Sequence, residues 1–188
     1  AEVVQMLYLM GTGQTNPVVP PPILEEINIS IEDTYAVSSG QFLQEVEKVP
    51  KSILEQFSKE DWSLVVGNKE LAVWNYKNGM SASGLTIFGE KTLFVANAGS
   101  TIHEFGHFLH HHVQVPEMVK QLYEKEATQA EVLLGEYAMT NDNEYFAEVF
   151  EYWIASNRDE GRLSRLQAAA PGTYAYFAKL EANNWDMP

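Results

Sequence analysis

The sequence predicts an α+β fold, with a small mixed sheet in the front half of the chain and helices in the back half. Three observations carry this. Between residues 62 and 96, short apolar runs are bounded by Gly and Asn, the punctuation of strands. From residue 100 onward, apolar residues recur at spacings of three and four, the period of a helix. The change of period falls at Gly99-Ser100-Thr101, a turn and N-cap signal that immediately precedes His103-Glu104-Phe105-Gly106-His107.

The elements follow in order. Val3 to Met10 (VVQMLYLM) predicts a buried strand that ends at Gly11-Thr12-Gly13. Asn16 to Pro22, with prolines at 17, 20, 21 and 22, predicts an extended, polyproline-like connection that serves as a stiff surface loop. Phe42, Leu43, Val46 and Val49 recur at helical spacing. Ile53, Leu54 and Phe57 repeat the pattern after Pro50, which reads as the first residue of a second helix. Trp62–Gly67, Leu71–Tyr76, Gly84–Gly89 and Lys91–Ala96 predict short strands, the last two joined by a hairpin turn at Gly89-Glu90. Helices are expected over about 100–113, 116–130 and 143–156, with a pair across 159–183. At 188 residues and 45% hydrophobic content the chain fits a single domain, with a front lobe over about 1–98 and a helical lobe over about 99–188.

Charge and cysteine content narrow the chemistry. The net charge of −14 repels phosphate backbones and anionic lipid, which argues against nucleic-acid partners. No apolar run approaches the length of a membrane span, so membrane insertion is not expected. A neutral or cationic peptide partner suits the charge better, and a monomer is expected. With no cysteine, structural Cys-zinc folds are excluded and any metal must be held by His and carboxylate. The opening Ala1-Glu2-Val3 has no basic n-region, so the chain is expected to be a secreted protein after signal removal, or an excised domain.

The His-Glu-x-x-His pentad is the most specific chemical signal. Residues four apart are neighbours on a helix, so His103 and His107 can each turn one ring nitrogen toward a single zinc ion. Glu104 reaches the edge of the same site, where it can take a proton from a water attacking a peptide carbonyl. A catalytic zinc needs a third protein ligand. A histidine six residues past His107 is ruled out, because Val113 stands there. His110 and His111 lie about one turn, roughly 5 Å, further along the helix, too far to close a tetrahedron; with His112 they read as a polar helix C-terminus. Downstream, Asn141-Asp142-Asn143 caps a segment whose Tyr145, Phe146, Val149, Phe150 and Trp153 form an apolar stripe. Glu144 and Glu148 lie four apart beside that stripe, either as a metal ligand with its supporting acceptor or as a solvated acidic face.

The run Asn143-Glu144-Tyr145-Phe146-Ala147-Glu148-Val149-Phe150, with His-Glu-Phe-Gly-His upstream and Pro171-Gly172-Thr173-Tyr174 downstream, resembles a family of zincin peptidases. That family comprises the catalytic domain of anthrax lethal factor and the bacterial Pro-Pro endopeptidases, and the resemblance spans roughly residues 99–184. It implies a zincin-like metalloprotease domain with one catalytic Zn2+ on His103, His107 and Glu144, and Glu148 in support. Glu151, on the same helix, is expected outside the site. The resemblance further implies that Tyr137, seven residues before Glu144, polarises the scissile carbonyl beside the base Glu104. It places the substrate along a strand edge at Ser81–Phe88, with Ser81, Ala82, Ser83, Gly84 and Leu85 in contact with it. Two features depart from the Pro-Pro enzymes: Asn143 replaces the acid before the ligand Glu, and of their Lys-x-Trp pair only Trp62 and Trp74 are candidate substitutes. The implied activity is zinc-dependent endopeptidase cleavage of extended protein substrates, with a Pro-Pro endopeptidase acting on proline-rich substrates as its narrower form. The alternatives are a lethal-factor-like toxin protease with non-proline specificity and a zincin-fold binding module with little catalysis.

Overall fold

In the computed structural model, residues 22–31, 39–156 and 159–186 are described. The strand expected at Val3–Met10 and all but the last residue of the Asn16–Pro22 connection lie outside them. Pro22 itself opens a helix, Pro22–Glu26 (α1), where the fixed φ of proline suits a first helical position. The chain divides into two compact units between Glu104 and Phe105.

The first unit is built on a four-stranded sheet. After α1 come β1 (Asn28–Ile31), α2 (Ser39–Val46), α3 (Lys51–Lys59), β2 (Ser63–Val66), α4 (Lys69–Asn78), β3 (Gly84–Ile87) and β4 (Thr92–Val95). The sheet order is β1-β2-β4-β3. The pairs β1–β2 and β2–β4 are parallel, whereas β3 runs antiparallel to β4 and ends the sheet. Helices lie in the connections between the parallel strands, as crossovers between parallel strands commonly require. Phe42, Leu43, Val46, Val49, Ile53, Leu54 and Phe57 from the α2–α3 region are all buried, with Leu64, Val66, Leu93 and Val95 from the strands. Pro50 is the N-cap of α3 rather than its first residue, its carbonyl accepting from the amides of Ile53 and Leu54. The hairpin between β3 and β4 turns through a short 3-10 helix, Phe88–Glu90, and Lys91 in the left-handed region at φ 49° completes it.

One expected strand is a helix. Residues 71–76 lie within α4, and the reason is visible in its burial and its end. Leu71 is buried whereas Val73 and Tyr76 are 47% and 91% exposed, so the segment meets the core through a single residue. Such a face can be offered by a helix that ends at a left-handed glycine, and Gly79 at φ 63° is that residue, its amide donating to the carbonyl of Asn75. Strand β1 carries no comparable apolar run, and nothing in its sequence signals its pairing with β2 across 35 residues.

The second unit is helical. Helix α5 (Thr101–Val113) contains the boundary and is followed by α6 (Pro116–Leu134), a 3-10 turn (Glu136–Met139), α7 (Asp142–Ser156), α8 (Glu160–Ala169) and α9 (Pro171–Ala182). Helix α7 is its centre: Tyr145, Phe146, Ala147, Val149, Phe150, Tyr152 and Trp153 are all buried. Phe177 packs 5.0 Å from the Phe146 ring and 5.7 Å from Trp153, and Phe150 meets Trp185 edge-on at 5.5 Å. Helix α6 runs four residues past its expected end, to Gly135 at φ 92°. The carboxylate of Glu126, only 3% exposed, caps the start of α9 by accepting from the amides of Gly172 (2.9 Å) and Thr173 (2.8 Å) and from the Thr173 hydroxyl (2.9 Å). A Cβ on Gly172 would stand 2.8 Å from Glu126 Oε1, which explains the Pro-Gly-Thr run: proline at N1, no side chain where the carboxylate approaches, then a hydroxyl donor.

Candidate active site

Helix α5 is anchored by Ile102, Phe105, Phe108 and Leu109, each no more than 5% exposed. That anchoring sets the rotation of the helix, and with it the direction in which His103 and His107, one turn apart, are presented. Just upstream, the Asn97 side chain accepts from the Gly99 amide and opens the short 3-10 turn that leads into the helix.

Helix α7 supplies the carboxylates. The Asn141 side chain accepts from the backbone amide of Glu144 at 3.0 Å, an N-cap bond that fixes the first turn of α7 and the residue on it. Glu144 Oε2 lies 3.3 Å from His107 Nε2. The two helices approach this closely because both residues at the contact are small: a Cβ on Gly106 would stand 2.8 Å from Ala147 Cα. The ligand atoms of His103, His107 and Glu144 all lie within 4.8 Å of one another, a set able to hold a metal ion. Two ligands about 2.0–2.1 Å from one tetrahedral ion stand roughly 3.3 Å apart, which matches the His107–Glu144 separation. The donors, two imidazoles and a carboxylate, are the set a hydrolytic zinc takes. A second group joins His103 with Glu148 and Glu151. Glu148 is thus where a carboxylate can accept from a ring N–H of a ligand histidine. Glu151, expected outside the site, shares this position, because a residue seven after Glu144 and three after Glu148 returns to the same helix face.

Glu104 is 5% exposed, and its Oε2 accepts from the hydroxyl of Thr86 on β3 at 2.6 Å. Gly84, two residues earlier on the same strand face, lies directly under the carboxylate: a Cβ there would collide with Oε1 and stand 2.8 Å from Cδ. Of the residues expected along the substrate edge, Gly84 and Leu85 belong to β3, while Ser81, Ala82 and Ser83 form the segment leading into it. That segment is held: Asn75 bonds both backbone groups of Ala82 at 2.9 Å, the Ser83 carbonyl accepts from the Ala96 amide, and the Ser83 and Ser100 hydroxyls meet at 2.7 Å. Trp74 sits half-buried on helix α4 rather than on a strand. Trp62 is a core residue at 1% exposure, 6.0 Å from the Phe57 ring and 6.1 Å from Phe88, so it is not available to line a pocket.

Tyr137 is 55% exposed on the 3-10 turn between α6 and α7. The turn is tied down by Tyr123, whose hydroxyl donates to the Met139 carbonyl at 2.7 Å. His110 does not form a polar helix end. It is 9% exposed and stacks on Phe146 at 4.7 Å, and burial lowers its pKa below the ordinary 6.5, with the nearby Asp142 charge opposing the shift.

A helix with paired histidines and a glutamate between them, a carboxylate two helices on, and a mixed sheet ending in an antiparallel strand make this a zincin-like fold. A family model described as anthrax toxin lethal factor, N- and C-terminal domain, matches residues 23–180, and the chain belongs to that family. Among solved structures, it is similar to the Pro-Pro endopeptidase PPEP-2 from Paenibacillus alvei at 23% identity and a TM-score of 0.61. That match covers 85% of this chain and 99% of that one. No curated protein sequence matches it.

Proposed function

We propose that this chain is a zinc-dependent endopeptidase. The observation that carries the reading is the set His103, His107 and Glu144 beside the buried carboxylate of Glu104, a donor set for zinc next to a group that can move a proton. The three donors would hold the ion, which supplies Lewis acidity to a carbonyl and acidity to a water. Glu104 accepts the proton of the attacking water and returns it to the departing amine, so no net proton is consumed in the step. Tyr137 donates its hydroxyl to the oxygen that gains charge as the carbonyl carbon becomes tetrahedral. An extended substrate adds to the outer side of β3, the antiparallel end strand of the sheet among the described residues.

Within that activity, we read peptides with proline on both sides of the scissile bond as the preferred substrates. The support is the shared fold with a Pro-Pro endopeptidase. Proline fits an extended backbone, and its missing N–H costs nothing where no acceptor faces it. A lethal-factor-like protease without proline preference is the second reading, favoured by the burial of Trp62, which removes one of two candidate proline-pocket walls. Peptide-library profiling of the zinc-loaded protein beside its Glu104→Gln variant tests both. Hydrolysis that falls by at least about 100-fold in the variant supports the peptidase. Equal hydrolysis by the two proteins rejects it. A preference for Pro-Pro over alanine-substituted peptides of about 10-fold or more supports the narrower reading, and absence of proline from both flanking positions rejects it.

A further inference from the structure

We infer that Thr86 is a positioning residue for the base, and that β3 therefore sets the carboxylate of Glu104 with the same strand that receives the peptide. Residues 84 and 86 of a strand point to one face, and both meet Glu104: Thr86 through a 2.6 Å hydroxyl bond to Oε2, Gly84 through the absence of a side chain under Oε1. These are two different constraints on one group. The hydroxyl donates to one oxygen and stops the carboxylate rotating about its Cγ–Cδ bond, while the glycine leaves the space that the other oxygen occupies. Oε2 is thereby engaged by the Thr86 hydroxyl, and Oε1 packs against the bare backbone of Gly84. A hydroxyl donating to a carboxylate is a strong, short bond of the charge-assisted kind, and at 2.6 Å the observed length falls in that class.

The consequence is geometric. Thr86 pairs with Leu93 of β4, and the register across β3–β4 is continuous from Gly84↔Val95 to Ile87↔Thr92. A peptide bonded to the outer side of that strand has its backbone fixed by residues 84–87, and Thr86 holds the base by the same four residues. Substrate register and base position are then referred to one short element, which is how a reacting atom and a proton acceptor are kept within the fraction of an ångström that catalysis demands.

This inference rests on the peptidase reading for its kinetic consequence but not for its structural one, and the test uses both. Thr86→Val keeps the shape and strand preference and removes the hydroxyl, while Thr86→Ser restores it. Expected for Thr86→Val is a kcat reduced by about 10-fold or more with KM within about twofold and zinc content unchanged, with Thr86→Ser recovering most of the loss. Gly84→Ala, which pushes on the other oxygen, should lower kcat in the same way and serves if Thr86→Val fails to fold. Crystal structures of the variants should show the Glu104 carboxylate turned away from β3 in Thr86→Val and in place in Thr86→Ser. A Thr86→Val protein with wild-type kcat, or with Glu104 unmoved, overturns the assignment. If the wild-type protein cuts no peptide, the peptidase reading fails, and the position of Glu104 in Thr86→Val still decides the role of Thr86.

Discussion

The approach of α5 and α7 at Gly106 and Ala147 is what brings a histidine of one helix to the carboxylate of the other, and Gly106→Ala puts it to a test of sign. Taken alone, replacing a glycine inside a helix by alanine stabilises by about 0.8–1.0 kcal/mol. Here the new Cβ would lie 2.8 Å from Ala147 Cα and 3.2 Å from Ala147 Cβ and O, where ordinary contact begins at 3.4 Å. The helices must part by roughly 0.6 Å, and overpacking of a tight interior contact costs about 1–3 kcal/mol. The net expectation is a destabilisation of about 1 kcal/mol. The same displacement widens the 3.3 Å His107–Glu144 separation, so zinc affinity should fall by about 10-fold or more. Urea unfolding of the metal-free protein gives the first quantity and competition with a zinc chelator the second. Gly89→Ala is the control, because a Cβ there meets nothing within 4 Å. A Gly106→Ala protein stabilised by about 1 kcal/mol, with wild-type zinc affinity, would show that helix propensity alone acts at this site and would refute the close-approach argument.

Glu126→Gln should destabilise the fold by about 1–3 kcal/mol in chemical denaturation, since it removes the charge that accepts three hydrogen bonds at the start of α9. His110 is held neutral by burial, with a folded pKa below 6.5, so the unfolded chain takes up the proton first as the pH falls. Its contribution to stability is complete above pH 6.5 and declines below it. His110→Phe, which keeps the stack on Phe146, should flatten the stability-versus-pH curve below pH 6.5; an unchanged slope would exclude His110 as the source. Tyr137→Phe should lower kcat by about 100-fold with KM nearly unchanged, and a loss seen mainly in KM would make the tyrosine a substrate-positioning residue instead.

What could be read from the sequence was local. The His-Glu-x-x-His helix and the Asn141-capped stripe of α7 each declare themselves through spacing and a cap within a few residues, and both form as expected. Glu144 as a partner for His107 came from family resemblance, since spacing alone left its role open. Contacts distant in sequence were not legible. Thr86 meets Glu104 across 18 residues and Glu126 meets Thr173 across 47, and neither residue type in those positions signals its partner. The misread helix α4 shows the other limit. Leu71-Ala72-Val73-Trp74 is a continuous apolar run that suits a buried strand as well as a helix, and the deciding residue, Gly79, stands beyond it. His110 escapes sequence reading for a related reason: three consecutive histidines suggest a polar end, but one residue in such a run still faces inward, here onto Phe146.

The claim on which the rest depends is that His103, His107 and Glu144 together hold one zinc ion. Elemental analysis of purified wild-type, Glu144→Ala and Glu131→Ala proteins, dialysed against the same buffered trace zinc, tests it most directly; Glu131 is an exposed carboxylate on α6. About one zinc per chain is expected in the wild type and in Glu131→Ala, and a large loss in Glu144→Ala, because a catalytic zinc site depends on its third protein ligand. Equal zinc in all three proteins, or none in the wild type, would contradict it.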